Sequence, residues 1–377
     1  MKVVADDKIP FLKGVLEKKG VTVNYLPGGK ILPEIIADAD ALIVRTRTIC
    51  NQNLLSNSKV KFIATATIGF DHIDTQYCEF CNIKWTNAPG CNSSSVMQYI
   101  ASALLSIAQD QEFKLNEKTI AIIGVGNVGS KVKKLADILG MKTLLVDLPR
   151  ERAEKSSEFV SFKDVLNNAD IITFHVPLNF EGEDKTYHLA DSGFFAKIKK
   201  PVILFNSSRG EVVETQALKN AIRTGIISTA VIDVWENEPD IDFELMRLAK
   251  FATPHIAGYS TDGKANGTAM SVQALSRYFK LGLDEWYPEN IPIPQNTEIM
   301  IDCSGKNVYE VITQAVKTSY DISEDDVTLR ESPDAFEKQR GDYPVRREFP
   351  AWTVKLKNDS TNFAEILKRL GFNLIKL

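Results

Sequence analysis

The sequence predicts an α/β protein with two doubly wound parallel sheets, followed by a small α+β domain. Three observations point there. Short apolar runs alternate with helical stretches almost from the first residue. Those runs are continuously apolar, which suits strands of a parallel sheet covered on both faces. The alternation also starts twice, and it changes character beyond a proline-rich segment. With 377 residues the chain can hold two or three cores.

Taken in order, "KVVAD" reads as a strand, "FLKGVLEKKG" as a helix closed by a glycine, and "VTVNYL", "ALIVR" and "FIATAT" as further strands. A long helical stretch, "SSVMQYIASALLSIAQDQEFKL", separates this series from the next. There "TIAIIGV", "KTLLVDL", "IITFHVP", "VILFNSS" and "STAVIDVW" are strands, and "NVGSKVKKLADILG" and "TQALKNAIRTG" are glycine-terminated helices. Another long helix, "DGKANGTAMSVQALSRYFKLGL", leads to "YPENIPIPQN", whose prolines mark a linker. Beyond it "EIMIDCS", "WTVKL" and "NLIKL" read as strands, and "VYEVITQAVKTSYD" and "NFAEILKRLGF" as helices. The expected domains are 1–95 with 255–285, then 96–254, then a separable 290–377.

Composition narrows the function classes. Net charge is −4, so no basic field recruits nucleic acid or an anionic membrane. No apolar run reaches the length of a membrane span, and acidic residues occupy the place of a signal peptide's apolar stretch, so a cytoplasmic protein is expected. Five scattered cysteines suit a reducing compartment. "CEFC" at 78–81 lacks the second pair a zinc site would want, and no metal is expected.

The segment "AIIGVGNVGSKVKKLADILGMKTLLVD" places Gly124, Gly126 and Gly129 between a strand and a helix. The first glycine permits a tight turn, the second lets backbone approach a pyrophosphate, and the third lets helix and strand pack closely. Asn127 and Val128 open the helix, whose free N–H groups favour an anion. Asp147 follows 18 residues after Gly129, placed to accept from an adenosine ribose. This is a dinucleotide site, and a carboxylate at that position favours NAD over NADP.

Hydride exchange between NAD and a hydroxy acid requires a base for the hydroxyl proton and a cation for the carboxylate. "NSSRGEVV" offers Arg209, an arginine fork able to grip a carboxylate. "DVWENEP" offers Asp233 and Glu238, and "TPHIAG" offers His255, one of only four histidines. A carboxylate beside an imidazole would fix its tautomer and stabilise the imidazolium.

The set "GVGNVG", "FHVPL", "NSSRGEVV", "DVWENEP" and "TPHIAG" resembles the D-2-hydroxyacid dehydrogenases. That resemblance implies Arg209 as substrate clamp, Glu238 as the histidine's partner and His255 as acid/base. The phrases "TATIGFDHID", "KTYHLA" and "TPHIAGYSTDGKANGT", with the tail "DAFEKQRGDYPVRREF", are similar to one branch of the family. Members of that branch oxidise a phosphorylated four-carbon 2-hydroxy acid on a route to pyridoxal phosphate, and their third domain makes a homodimer. The resemblance implies substrate contacts at Thr46, Thr67 and Tyr259. It implies cofactor contacts at Asp147, Val176, Ser207, Ser208, Arg209, Asp233 and Gly258. Arg45, at the end of "ALIVR", is the expected phosphate ligand, with Arg47 a solvated neighbour. The chain departs from the branch at Gln98, where relatives carry an acid, and at Thr46, where serine is common. Another member, such as a phosphoglycerate dehydrogenase, and a non-enzymatic NAD-sensing protein are the alternative readings.

Overall fold

The computed structural model describes residues 1–359 and 361–376. The chain divides into two compact units, Met1–Asn92 with Ser260–Pro292 and Ser93–Tyr259 with Ile293–Leu377.

In the first unit, strands β1 (Lys2–Asp6), β2 (Thr22–Leu26), β3 (Ala41–Val44), β4 (Phe62–Thr65) and β5 (Lys84–Thr86) form a sheet of order β2-β1-β3-β4-β5. Every pairing is parallel. All four residues of β3 and of β4 are buried, as the continuous apolar runs require. The order reverses between β1 and β3, and an open α/β sheet binds ligands at such a reversal, beyond the carboxyl ends of its strands. Arg45 follows β3 at that place. The helix Thr261–Phe279 belongs to this unit, and its Val272 and Leu275 share a core with Val3, Ala5, Ile43 and Ala64.

One sequence-predicted helix is not formed. "FLKGVLEKKG" folds as turns with a single 3-10 turn at Glu17–Lys19, because Phe11 and Gly14 adopt φ of 64° and 84°. Positive φ breaks the helical hydrogen-bond run. Leu12 and Leu16 are fully buried nonetheless, so hydrophobic spacing survived where helical geometry did not.

The second unit carries β6 (Thr119–Ile123), β7 (Lys142–Val146), β8 (Ile171–Phe174), β9 (Val202–Asn206), β10 (Ile227–Ile232) and β11 (Phe251–Ala252), in the order β11-β10-β9-β8-β6-β7. Phe159 bridges Leu145 in parallel beyond β7, and the Val160 N–H donates to the Leu145 carbonyl at 2.8 Å. Counting that short segment as a strand gives the dinucleotide-binding order, with its reversal between β6 and β8.

A third sheet, β12 (Glu298–Asp302), β13 (Thr353–Lys357) and β14 (Asn373–Lys376), is parallel throughout, in that order. Its residues alternate between buried and open, and Met300 and Ile375 lie on the open face at 50% and 44% exposure. The proline-rich segment suggested a module able to stand apart, but one apolar cluster takes in both Ile100, Leu104 and Val132 and Val311, Leu356 and Leu367. The described apolar residues of the third sheet and its helices share the core of the nucleotide-binding sheet.

A buried arginine ties the tail in place. Arg346 donates to Gln98 Oε1 at 3.0 Å, to the Ser95 carbonyl at 2.6 Å and to the Ile256 carbonyl at 3.3 Å. Its guanidinium lies 3.6 Å from the Tyr320 ring centroid. Gln98, fully buried, also donates to the Arg347 carbonyl at 3.0 Å. Its amide therefore serves the tail "YPVRREF", which accounts physically for a polar residue at that place.

Candidate active site

At the first glycine turn, Gly124 has φ of 89°, and a Cβ there would lie 2.5 Å from the His175 carbonyl oxygen. A Cβ on Gly129 would meet the Gly124 carbonyl at 2.0 Å, so both positions demand glycine. Gly126 differs. Among the described residues no atom beyond its chain neighbours lies within 4 Å of where its Cβ would be, and it caps the helix Asn127–Ile138 without a side-chain bond. The protein leaves room at this backbone for an anion on free N–H groups, with Asn127 and Val128 opening the helix.

Asp147 lies beside that turn. It accepts from the Val125 N–H at 2.8 Å and from the Arg150 N–H at 3.1 Å, which leaves further lone pairs on its oxygens. Arg150 is committed elsewhere: it bonds Glu154 and the Val125 carbonyl, and stacks over Phe159 at 5.1 Å. It is not presented as a cradle for a 2′-phosphate. Asp147→Asn keeps the shape and one acceptor oxygen for these two N–H groups but removes the charge and the second acceptor. The ratio of kcat/KM for NAD over NADP should fall roughly tenfold or more, and an unchanged ratio would remove Asp147 from the ribose.

Across the sheet reversal, Val176 follows His175, whose N–H donates to the Ile123 carbonyl at 2.7 Å. Burial pushes the His175 imidazole down to about 3, so it stays neutral. After β9, the Ser208 hydroxyl and N–H donate to Asn206 Oδ1. The Ser207 hydroxyl is buried and has no hydrogen-bond partner among the described residues. A buried orphan hydroxyl next to an open glycine turn fits a bound dinucleotide. Gly210 fixes the next residue's surroundings, since a Cβ there would sit 2.0 Å from the Trp235 carbonyl carbon. The Arg209 turn and the "DVWENEP" turn are thereby pressed together.

The central pair is His255 with Glu238. His255 Nδ1 lies 2.7 Å from Glu238 Oε2, and Glu238 Oε1 accepts from the Trp235 N–H at 3.0 Å. Burial works to raise the Glu238 carboxyl, but the His255 charge and hydrogen bond, the Trp235 N–H and the Arg340 charge together hold it below its ordinary range. His255 has φ of 55°, a left-handed backbone that a non-glycine residue adopts at some cost. Asp233 holds it there. That fully buried carboxylate accepts from the Thr253 hydroxyl and from the Ile256 and Ala257 N–H groups, at 2.6, 2.8 and 3.0 Å. The His255 N–H donates to the Asp233 carbonyl at 2.7 Å. Besides the cofactor contact expected of it, Asp233 has this role of fixing the histidine's loop. Beyond lie Gly258 and Tyr259, the latter edge-on to Tyr343 at 5.9 Å.

The first unit carries the residues expected to meet the substrate's phosphate. Arg45 is half-buried and donates to the Lys8 carbonyl at 3.0 Å, while Thr46 and Arg47 are exposed. Thr67 bonds the Gly69 carbonyl and Thr65, both at 2.8 Å. Sequence reasoning missed Lys264, in the first turn of the helix Thr261–Phe279. Burial and then repulsion from Arg45 push its ammonium down to about 8. The one available signal was a lysine in "DGKANGT", at the start of a helix where anions bind.

Residues 100–257 match the family described as D-isomer specific 2-hydroxyacid dehydrogenase, NAD binding domain, and residues 291–371 match a domain family of unknown function. A curated relative from Bacteroides fragilis, named erythronate-4-phosphate dehydrogenase, is 54% identical over 94% of this chain and 99% of its own length. One of the same name from Escherichia coli is 37% identical, covering 100% of this chain and 99% of itself. Among solved structures, a D-lactate dehydrogenase from Aquifex aeolicus, complexed with NAD and lactic acid, aligns with a TM-score of 0.63 at 26% identity, over 76% of this chain and 97% of that one. A 3-phosphoglycerate dehydrogenase from Entamoeba histolytica with bound NAD has the same fold, at a TM-score of 0.63 and 23% identity, over 78% of this chain and 99% of that one. With an open glycine turn, an orphan serine hydroxyl and a histidine–glutamate pair on such a sheet, the chain belongs to the D-isomer-specific 2-hydroxyacid dehydrogenases as an NAD-dependent oxidoreductase, in the branch named erythronate-4-phosphate dehydrogenase.

Proposed function

We propose that the chain oxidises 4-phospho-D-erythronate to 2-oxo-3-hydroxy-4-phosphobutanoate in the cytoplasm, as a step toward pyridoxal 5′-phosphate. The observation that carries the reading is the 2.7 Å His255–Glu238 pair, in a chain similar along nearly its whole length to relatives of that name. NAD, held at the glycine turn and Asp147, would supply the hydride acceptor for the substrate's C2. With Nδ1 engaged by Glu238, the His255 Nε2 is the nitrogen left to take the hydroxyl proton. Glu238 stabilises the imidazolium so formed. Arg209 grips the carboxylate and polarises the forming carbonyl, and Tyr259 contacts the same end of the substrate. Arg45, Thr46, Thr67 and Lys264 are the donors suited to the phosphate, a dianion that one arginine alone would hold less well.

Purified protein should reduce NAD with 4-phosphoerythronate at a kcat/KM at least about 100-fold above that with 3-phosphoglycerate or D-lactate, a margin within what phosphate and hydroxyl contacts supply. Comparable use of 3-phosphoglycerate would favour the other branch.

A homodimer through the third sheet is part of the same proposal. Parallel sheets are ordinarily covered on both faces, and the open face carrying Met300 and Ile375 suits a second copy of this chain. Met300→Glu with Ile375→Glu should sediment as a monomer. A double variant still dimeric would place the contact elsewhere.

A further inference from the structure

The tail "DAFEKQRGDY" carries an arginine that the mechanism above does not use. Phe336, fully buried, packs in a cluster with Trp235, Ile241 and Leu245, and so docks the helix Phe336–Gly341 beside the turn that bears Glu238. Arg340 lies one turn further on. Its guanidinium carbon is 5.7 Å from the Phe336 ring centroid and 5.5 Å from that of Tyr259, and one terminal nitrogen donates to Glu337 Oε1 at 3.0 Å. Its Nε is buried and has no acceptor among the described residues. Such an arginine is a poor device for stability, because apolar residues of similar volume fill buried space at least as well. Charge is what it adds. Arg340 and Glu238 act on one another electrostatically, each drawing the other further toward its ionised form.

We propose that Arg340 is a positioning residue for the Glu238–His255 pair: its fixed positive charge keeps the pair from holding a proton too tightly, while its guanidinium seats the Tyr259 ring. This rests on reading His255 as the base. Several groups bear on the pair: Asp233 interacts electrostatically with His255, the Trp235 N–H donates to Glu238, Arg340 interacts electrostatically with Glu238, and Glu337 partly offsets Arg340. A cation next to a proton-binding pair lowers its proton affinity. Removing that cation must raise the affinity, and removing the offsetting carboxylate must lower it.

The test is the pH dependence of kcat/KM for oxidation by the full-length protein. Arg340→Gln should move the acid limb upward by up to about one pH unit and leave the alkaline plateau within about threefold. Arg340→Lys should restore the limb, and Glu337→Gln, which keeps Arg340, should move it downward. A uniform loss at every pH with the limb unmoved would reduce Arg340 to packing, as would Glu337→Gln shifting the limb upward. If Arg340→Gln does not fold, the Lys and Glu337 variants carry the same two outcomes. His255→Asn separates the two ideas. Full turnover in that variant would overturn the base, whereas a dead variant with an unmoved Arg340→Gln limb would overturn this inference alone.

Discussion

Replacing His255 with glutamine should lower turnover by roughly 10²–10⁴, the usual worth of a positioned general base. Glutamine can still bond Glu238 but cannot carry the proton, so the loss reports proton transfer. Glutamine must also adopt the φ of 55° at this position. A His255→Asn variant guards against that, because asparagine tolerates the left-handed region. Binding of NAD should stay within about twofold, as the glycine turn and Asp147 are untouched. Turnover within about threefold of wild type at every pH would reject the role. Glu238→Gln complements it. Losing the carboxylate removes what stabilises the imidazolium, so the acid limb of kcat/KM should move to lower pH while the maximum falls.

Arg45→Ala should lower kcat/KM for the phosphorylated substrate roughly 10- to 200-fold, since a charged hydrogen bond is worth about 1.5–3 kcal/mol. A non-phosphorylated hydroxy acid has no group to lose there and should be used equally poorly by both proteins. Lys264 adds a pH signature. Its ammonium, pushed down to about 8 by burial and by Arg45, is protonated below that pH and neutral above it. A phosphate dianion needs the protonated form, so affinity for the phosphorylated substrate should fall as pH rises through about 8. Lys264→Met should remove that alkaline limb and leave a flat, lower kcat/KM. In Arg45→Ala the limb should move upward, because the repelling charge is gone. An alkaline limb seen equally with the non-phosphorylated acid would detach both residues from the phosphate.

Much of this protein was legible before folding. The glycine turn, Asp147, Arg209, Glu238 and His255 each follow a strand, and strands announce themselves through short apolar runs. The two larger parallel sheets followed from the same runs, because burial on both faces leaves no polar alternation, whereas the third sheet alternates. Local geometry was less legible. "FLKGVLEKKG" has helical spacing but turns at Phe11 and Gly14, since spacing records which residues are buried and not which backbone path buries them.

Pairings across long separations were decided by tertiary structure alone. Gln98 meets Arg346, and Asp233 meets the backbone of the histidine loop. Lys264 meets the field of Arg45, and Arg340 that of Glu238. In a linear sequence each is an ordinary polar residue with no partner at helical or strand spacing. Only packing excludes water from these groups, and a charge becomes informative about function when burial lets it act on one particular neighbour.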